Sequence, residues 1–130
     1  MISESIRNKL LQSAIASEGI GRRKNFKLSA GLLSSTQRLV NVKSPLYKTH
    51  PILSTLSDWP YLHAETNAII SYGMDFCRHL DLAVARVTLD EKPTMSKPCR
   101  VCQEIIERVG IRNVWYTDWN GEWICEKITH

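Results

Sequence analysis

Two short motifs far apart in the chain, His63-Ala64-Glu65 and Pro98-Cys99-Arg100-Val101-Cys102, constrain its fold more than any other feature. One imidazole and two thiolates can hold a zinc ion and leave its fourth position open for water. They can do so only if the fold brings both motifs to one place. Each motif stands at an expected helix start. Cys99 and Cys102, at i and i+3, lie on one helix face, whereas His63 and Glu65, at i and i+2, do not. At a helix start this matters less, because the first turn points its end at one site. If both helices aim their N-termini at that site, their dipoles add positive potential there. Such a potential favours thiolate over thiol and hydroxide over water.

The rest of the chain reads as a frame for these two helices. Ile6, Leu10, Leu11, Ala14 and Ile15 recur at helical spacing, so residues 4–17 read as a first helix, ended by Gly19 and Gly21. Residues 26–33 and 38–42 read as two strands joined by a Ser-Ser-Thr-Gln turn. A segment with Pro45, Pro51 and Pro60 follows and reads as a functional loop. Helices are expected over 62–72, stopped by Gly73, and over 99–109, started by Pro98 and ended by Gly110. Between them, 82–89 reads as a buried strand and 92–97 as a loop. Strands over 114–117 and 122–127 flank Asp118-Trp119-Asn120-Gly121, whose Asn-Gly marks a tight turn. Four residues are too few for a parallel crossover, so the last two strands should pair antiparallel. The order α-β-β-α-β-α-β-β predicts a mixed sheet with helices packed on its faces. Phe26, Leu28, Leu32, Val84, Val87, Ile105 and Val114 are the expected core.

The chain has 130 residues, enough for a single domain over 1–130 with one core. A net charge of +4 is compatible with phosphate-bearing ligands but is no nucleic-acid signature by itself. The first nineteen residues show an amphipathic pattern without the apolar core of a signal peptide, and no apolar run approaches membrane-spanning length. A cytoplasmic protein is expected. In that compartment a C-x-x-C pair points to metal or redox chemistry before disulfides.

A carboxylate two residues from the imidazole can take a proton from a metal-bound water, and Glu65 is the expected proton carrier. Competing readings exist. A purely structural zinc site would take a fourth ligand from Cys77, Cys125 or His79. A thioredoxin-like redox pair at Cys99 and Cys102 would leave His63 and Glu65 without a role. Cys77 and Cys125 otherwise read as apolar fillers.

The H-x-E…P-C-x-x-C pattern is the signature of zinc-dependent nucleobase deaminases, and here the chain resembles the cytidine and deoxycytidylate deaminase superfamily. Leu62-His63-Ala64-Glu65-Thr66-Asn67-Ala68-Ile69 is similar to the deoxycytidylate branch. Lys48-Thr49-His50-Pro51 and Met95-Ser96-Lys97-Pro98-Cys99 are similar to stretches of small phage-encoded deaminases. The resemblance covers nearly the whole chain. It implies a three-layer α/β fold, a five-stranded mixed sheet with helices on both faces. It implies Zn2+ on His63, Cys99 and Cys102, Glu65 as the catalytic shuttle, and a homo-oligomer. One conflict lies within it. The His-type motif belongs with branches that run the last two strands parallel, whereas the four-residue turn belongs with the free-nucleoside branch. The turn decides the architecture and the motif the chemistry.

The implied reaction is deamination of a free cytosine nucleotide or nucleoside, deoxycytidine monophosphate-like, to the uracil product and ammonia. The alternative is a deaminase of cytosine or adenine in single-stranded DNA or RNA. A third reading is a zinc-stabilised interaction module without catalysis. Expected substrate contacts are Asn41, where the family often has an Asn, together with Ala64, His50 and Trp119. Trp59 and Tyr61 could also stack on a base, and Arg22, Arg23, Lys24 and Lys27 could meet phosphates. Trp115 and Trp123 read as packing or subunit-interface residues.

Overall fold

The computed structural model describes residues 2–17, 27–45 and 62–128. Helix α1 spans Glu4–Ala16. Ser3 caps it, its Oγ accepting from the Ile6 N–H at 3.2 Å, and Glu4 puts a negative charge in the first turn. Ile6, Leu10 and Ala14, one turn apart, form its buried stripe. The helix ends one residue earlier than expected. Ser17 turns extended and its Oγ donates to the Ala14 carbonyl at 2.7 Å.

Strand β1 (Lys27–Leu33) pairs antiparallel with β2 (Leu39–Lys43) on one side. On its other side it pairs antiparallel with β3 (Asp81–Val87), from Lys27↔Val87 to Leu33↔Asp81. The first half of β3 pairs parallel with β5 (Asn113–Thr117), which pairs antiparallel with β6 (Trp123–Lys127). The antiparallel last strand is therefore as the short turn required. Asp118 Oδ1 closes that turn by accepting from Asn120 N at 2.8 Å and Glu122 N at 2.9 Å. Gly121 takes φ 82, a conformation glycine adopts without strain.

The sheet order is β2-β1-β3-β5-β6, and a sixth strand corrects the expected five. This β4, Pro93–Thr94, lies within the stretch read as loop. It pairs with Arg86 and Val87, the end of β3 that β5 does not reach. Two residues starting with proline are too short to show a strand's alternation.

Helix α2 spans Ala64–Tyr72 and α3 spans Arg100–Arg108. Both start later than expected, because His63 and Cys99 are the extended cap residues rather than the first helical ones. Alternation along β3 separates the two sides of the sheet. Leu82 and Val84 pack with Ala68 and Ile69 of α2 and Ile105 and Ile106 of α3. Ala83, Ala85 and Val87 pack with Ile6, Leu10 and Ala14 of α1. Helices thus cover both faces of the mixed sheet. On the α1 face the close approach depends on Gly31, where a Cβ would sit 2.7 Å from Leu39 Cδ2 and 2.9 Å from Leu10 Cδ2. Fully burying a leucine or isoleucine side chain contributes about 1.5–3 kcal/mol. Of the expected core, Leu32, Val84, Val87, Ile105 and Val114 are buried, Leu28 is half-buried and Phe26 lies outside the described residues. No helix among the described residues is long and apolar enough to cross a membrane.

Candidate metal centre

The fold places the starts of α2 and α3 side by side. His63 (φ −68°, ψ 163°) and Cys99 (φ −72°, ψ 172°) cap the two helices, and neither side chain makes a capping hydrogen bond. Neither side chain performs the capping duty that Ser, Thr, Asp or Asn performs at that position. Their backbones hold the first turns instead. The His63 carbonyl accepts from Asn67 N at 2.9 Å and from Thr66 Oγ1 at 3.0 Å, and the Cys99 carbonyl accepts from Gln103 N at 2.8 Å.

His63 Nδ1 lies 3.6 Å from Cys102 Sγ and 3.9 Å from Cys99 Sγ. One donor atom from each of the three residues lies within 4.8 Å of the other two. A tetrahedral zinc with roughly 2.3 Å bonds to sulfur and 2.0 Å bonds to nitrogen separates its ligand atoms by about 3.5–3.8 Å. The donor set and its spacing fit such an ion. Among the described residues, no further His, Cys, Asp or Glu joins this group. Cys77 is buried elsewhere, beside the Ile69 and Gly73 carbonyls. Cys125 is exposed on β6, which corrects its reading as an apolar filler. Among the described residues the group thus offers three donor side chains that could hold a metal ion.

Glu65 sits in the first turn of α2 and is buried, with 4% of its surface exposed. Burial holds its carboxyl pKa above the ordinary carboxylate value, against the opposing pull of His63. Its Oε1 has no hydrogen-bond partner among the described residues. A buried polar oxygen without a partner costs about 1–3 kcal/mol, a cost that persists at sites with a function to perform. Between the two thiols, a hydrogen bond from Cys102 brings Cys99 down to about 4, while the same bond and burial push Cys102 well above its ordinary value. A bound cation would favour the thiolate form of both sulfurs.

The segment entering α3 is tied down closely. Ser96 N donates to the Thr117 carbonyl at 2.9 Å, and Ser96 Oγ lies 2.8 Å from the Val84 carbonyl. Thr117 N donates to Ser96 Oγ at 2.7 Å. Gln103 Nε2 donates to the Pro98 carbonyl at 2.9 Å, closing the first turn. These contacts place the motif at the carboxyl ends of β3 and β5, where open α/β sheets bind their ligands.

The remaining expected contacts are scattered. Ala64 is fully buried in the first turn of α2. Asn41 Nδ2 donates to Ala68 O and Ser71 Oγ, both at 2.9 Å, so this amide ties β2 to α2. Trp119, 71% exposed, stands on the β5–β6 turn that follows Thr117. Lys27 Nζ donates to the Ile15 carbonyl at 3.2 Å, at the end of α1. Trp115 and Trp123 pack half-buried on the α1 side, as packing residues should. His50, Trp59, Tyr61, Arg22, Arg23 and Lys24 lie outside the described residues. Asn67 has a role not anticipated. Buried one turn into α2, it donates through Nδ2 to the Ser44 carbonyl at 2.8 Å and so fastens the chain leaving β2 to the motif helix. Its place in the His-Ala-Glu-Thr-Asn run was the available signal.

No family model matches the sequence, and no curated protein matches it. Solved structures do. The dCMP deaminase of the cyanophage S-TIM5, in apo form, superposes with a TM-score of 0.58 at 16% identity, over 90% of this chain and 86% of that one. The same enzyme in complex with dCMP and dUMP gives a TM-score of 0.57 at 17% identity, over 91% of this chain and 85% of that one. The chain therefore has the fold of a phage deoxycytidylate deaminase, deaminase-like in its mixed sheet and in its helices on both faces.

Proposed function

We propose that this chain is a zinc-dependent hydrolytic deaminase of a free cytosine nucleotide, deoxycytidine monophosphate-like, releasing the uracil product and ammonia. The observation that carries this reading is the buried carboxyl of Glu65 in the same helix turn that presents His63 to Cys99 and Cys102. A structural metal has no use for such a carboxyl. The likeness in fold to an enzyme solved with dCMP and dUMP supports the choice of base and phosphate.

His63, Cys99 and Cys102 would hold the ion. When bound, it supplies a Lewis acid that brings a water toward a pKa of about 7. Glu65 accepts the proton from the attacking water as C–O forms at the amine-bearing carbon, and passes it to the adjacent ring nitrogen. As the C–N bond breaks, Glu65 carries the second proton of that water to the departing amine, which leaves as ammonia. A carboxyl whose pKa is raised by burial suits both directions of transfer. Ala64 at the helix start, Trp119 on its turn, Asn41 and His50 remain the proposed substrate contacts. A cytoplasmic homo-oligomer belongs to the same proposal.

The test is a panel of cytidine, deoxycytidine, their mono- and triphosphates, adenosine and a cytosine-containing single-stranded oligonucleotide, followed by mass spectrometry. Conversion of deoxycytidine monophosphate is expected. Conversion of the oligonucleotide alone would replace this proposal with a strand-acting enzyme.

A further inference from the structure

Two hydroxyls near the metal motif do more than fill the interior. Ser96 is three residues before Cys99, and Thr117 ends β5. Ser96 is 5% exposed and Thr117 fully buried. Their oxygens lie 2.9 Å apart. Ser96 Oγ also lies 2.8 Å from the Val84 carbonyl, and Thr117 Oγ1 2.5 Å from the Thr94 carbonyl. Ser96 Oγ accepts from the Thr117 N–H at 2.7 Å. The two hydroxyl protons go to the Val84 and Thr94 carbonyls, so removing either hydroxyl takes a buried donor from a strand carbonyl, and removing that of Ser96 also takes the acceptor from the Thr117 N–H.

The geometry of what they join matters more. Val84 lies in β3, Thr117 in β5 and Thr94 in β4. The knot therefore binds three strands to the four-residue segment 95–98 that delivers Cys99. The amide of Ser96 adds a further bond to the Thr117 carbonyl at 2.9 Å. Beyond Ser96 the chain is held by a half-exposed ion pair, Lys97 to Glu126 at 3.7 Å, and by the Gln103 contact to Pro98. The ion pair is worth little because solvent screens it. The two cysteines come from α3 and the imidazole from α2. Their separation thus depends on how the start of α3 is fixed to the sheet.

We infer that the Ser96–Thr117 hydroxyl pair is a positioning device for the metal centre, holding Cys99 and Cys102 at bonding distance from the ion that His63 shares. The inference rests on the reading of His63, Cys99 and Cys102 as a metal site. Groups that orient ligands from outside the coordination sphere typically affect metal affinity by roughly 10–100-fold.

The experiment measures zinc affinity by chelator competition for the full chain and for Ser96→Ala, Thr117→Val and Thr117→Ser. Cobalt-loaded spectra of each report ligand geometry. Thr117→Val keeps the shape and removes the hydroxyl, whereas Thr117→Ser keeps the hydroxyl. We expect Ser96→Ala and Thr117→Val to bind zinc roughly 10–100-fold more weakly. We expect their sulfur-to-cobalt bands to shift, while Thr117→Ser stays within about threefold of the parent. KM for the nucleotide should move less than kcat in the two hydroxyl-deleted chains. Equal zinc affinity and unshifted cobalt bands in folded Ser96→Ala and Thr117→Val would overturn the inference and leave the metal site standing. Failure of the parent chain to bind zinc would instead overturn the metal site itself.

Discussion

The three α-helices among the described residues begin with almost the same backbone and three different side chains. Ser3, His63 and Cys99 sit at φ −67°, −68° and −72°, with ψ 156°, 163° and 172°. Ser3 spends its oxygen on the Ile6 amide. His63 and Cys99 make no capping bond and turn their donor atoms toward each other, 3.9 Å apart. The first helix is capped by its own side chain, and the starts of α2 and α3 are not. In the proposed account, the local capping rule is followed where the chain only folds and set aside where it would hold a metal.

This contrast can be broken at either end. The largest effect is expected at Glu65. Glu65→Gln keeps the shape of the first turn of α2 but cannot carry a proton, so kcat should fall by roughly 10²–10⁴-fold or more while zinc still binds. Steady-state kinetics beside a zinc assay checks both halves. Next comes Leu10→Ala, beneath α1 and fully buried. It should cost about 2–5 kcal/mol in denaturant unfolding and leave zinc affinity within about twofold, because α1 packs on the sheet face opposite the motif helices. Ser3→Ala should cost about 1 kcal/mol through the lost cap, again without touching the metal. The smallest effect is the most pointed. Cys99→Ser puts a good capping residue on α3, so the metal-free protein should gain roughly 0.5–1 kcal/mol even as zinc affinity collapses. Thermal melts of both metal-free chains decide it, and a loss of stability would mean that Cys99 is not a sacrificed cap.

Most of this was legible in the residues, for identifiable reasons. The two motifs carry their own spacing, so His63, Cys99 and Cys102 could be joined before any fold was known. The short Asp118–Gly121 connection forced an antiparallel end to the sheet, as found. Helix starts were misplaced by one or two residues because His63 and Cys99 make no side-chain capping bond and so read as the first helical residues. The two-residue β4 was missed because its partner, the end of β3, is defined only once the sheet assembles. That the amide nitrogen of Asn41 serves Ala68 and Ser71 could not be read from its position, because both partners lie in a helix distant in sequence. Ser96 and Thr117 left no trace in the pattern, since a hydroxyl in a loop acquires its meaning only from strands distant in sequence.

The most direct test is a zinc titration of the metal-free protein with deoxycytidine monophosphate present, read by mass spectrometry for replacement of the amine by oxygen. Turnover should rise with zinc, saturate at one ion per chain, and be absent from Glu65→Gln at the same zinc occupancy. Turnover without metal, or undiminished turnover in Glu65→Gln, would contradict the account.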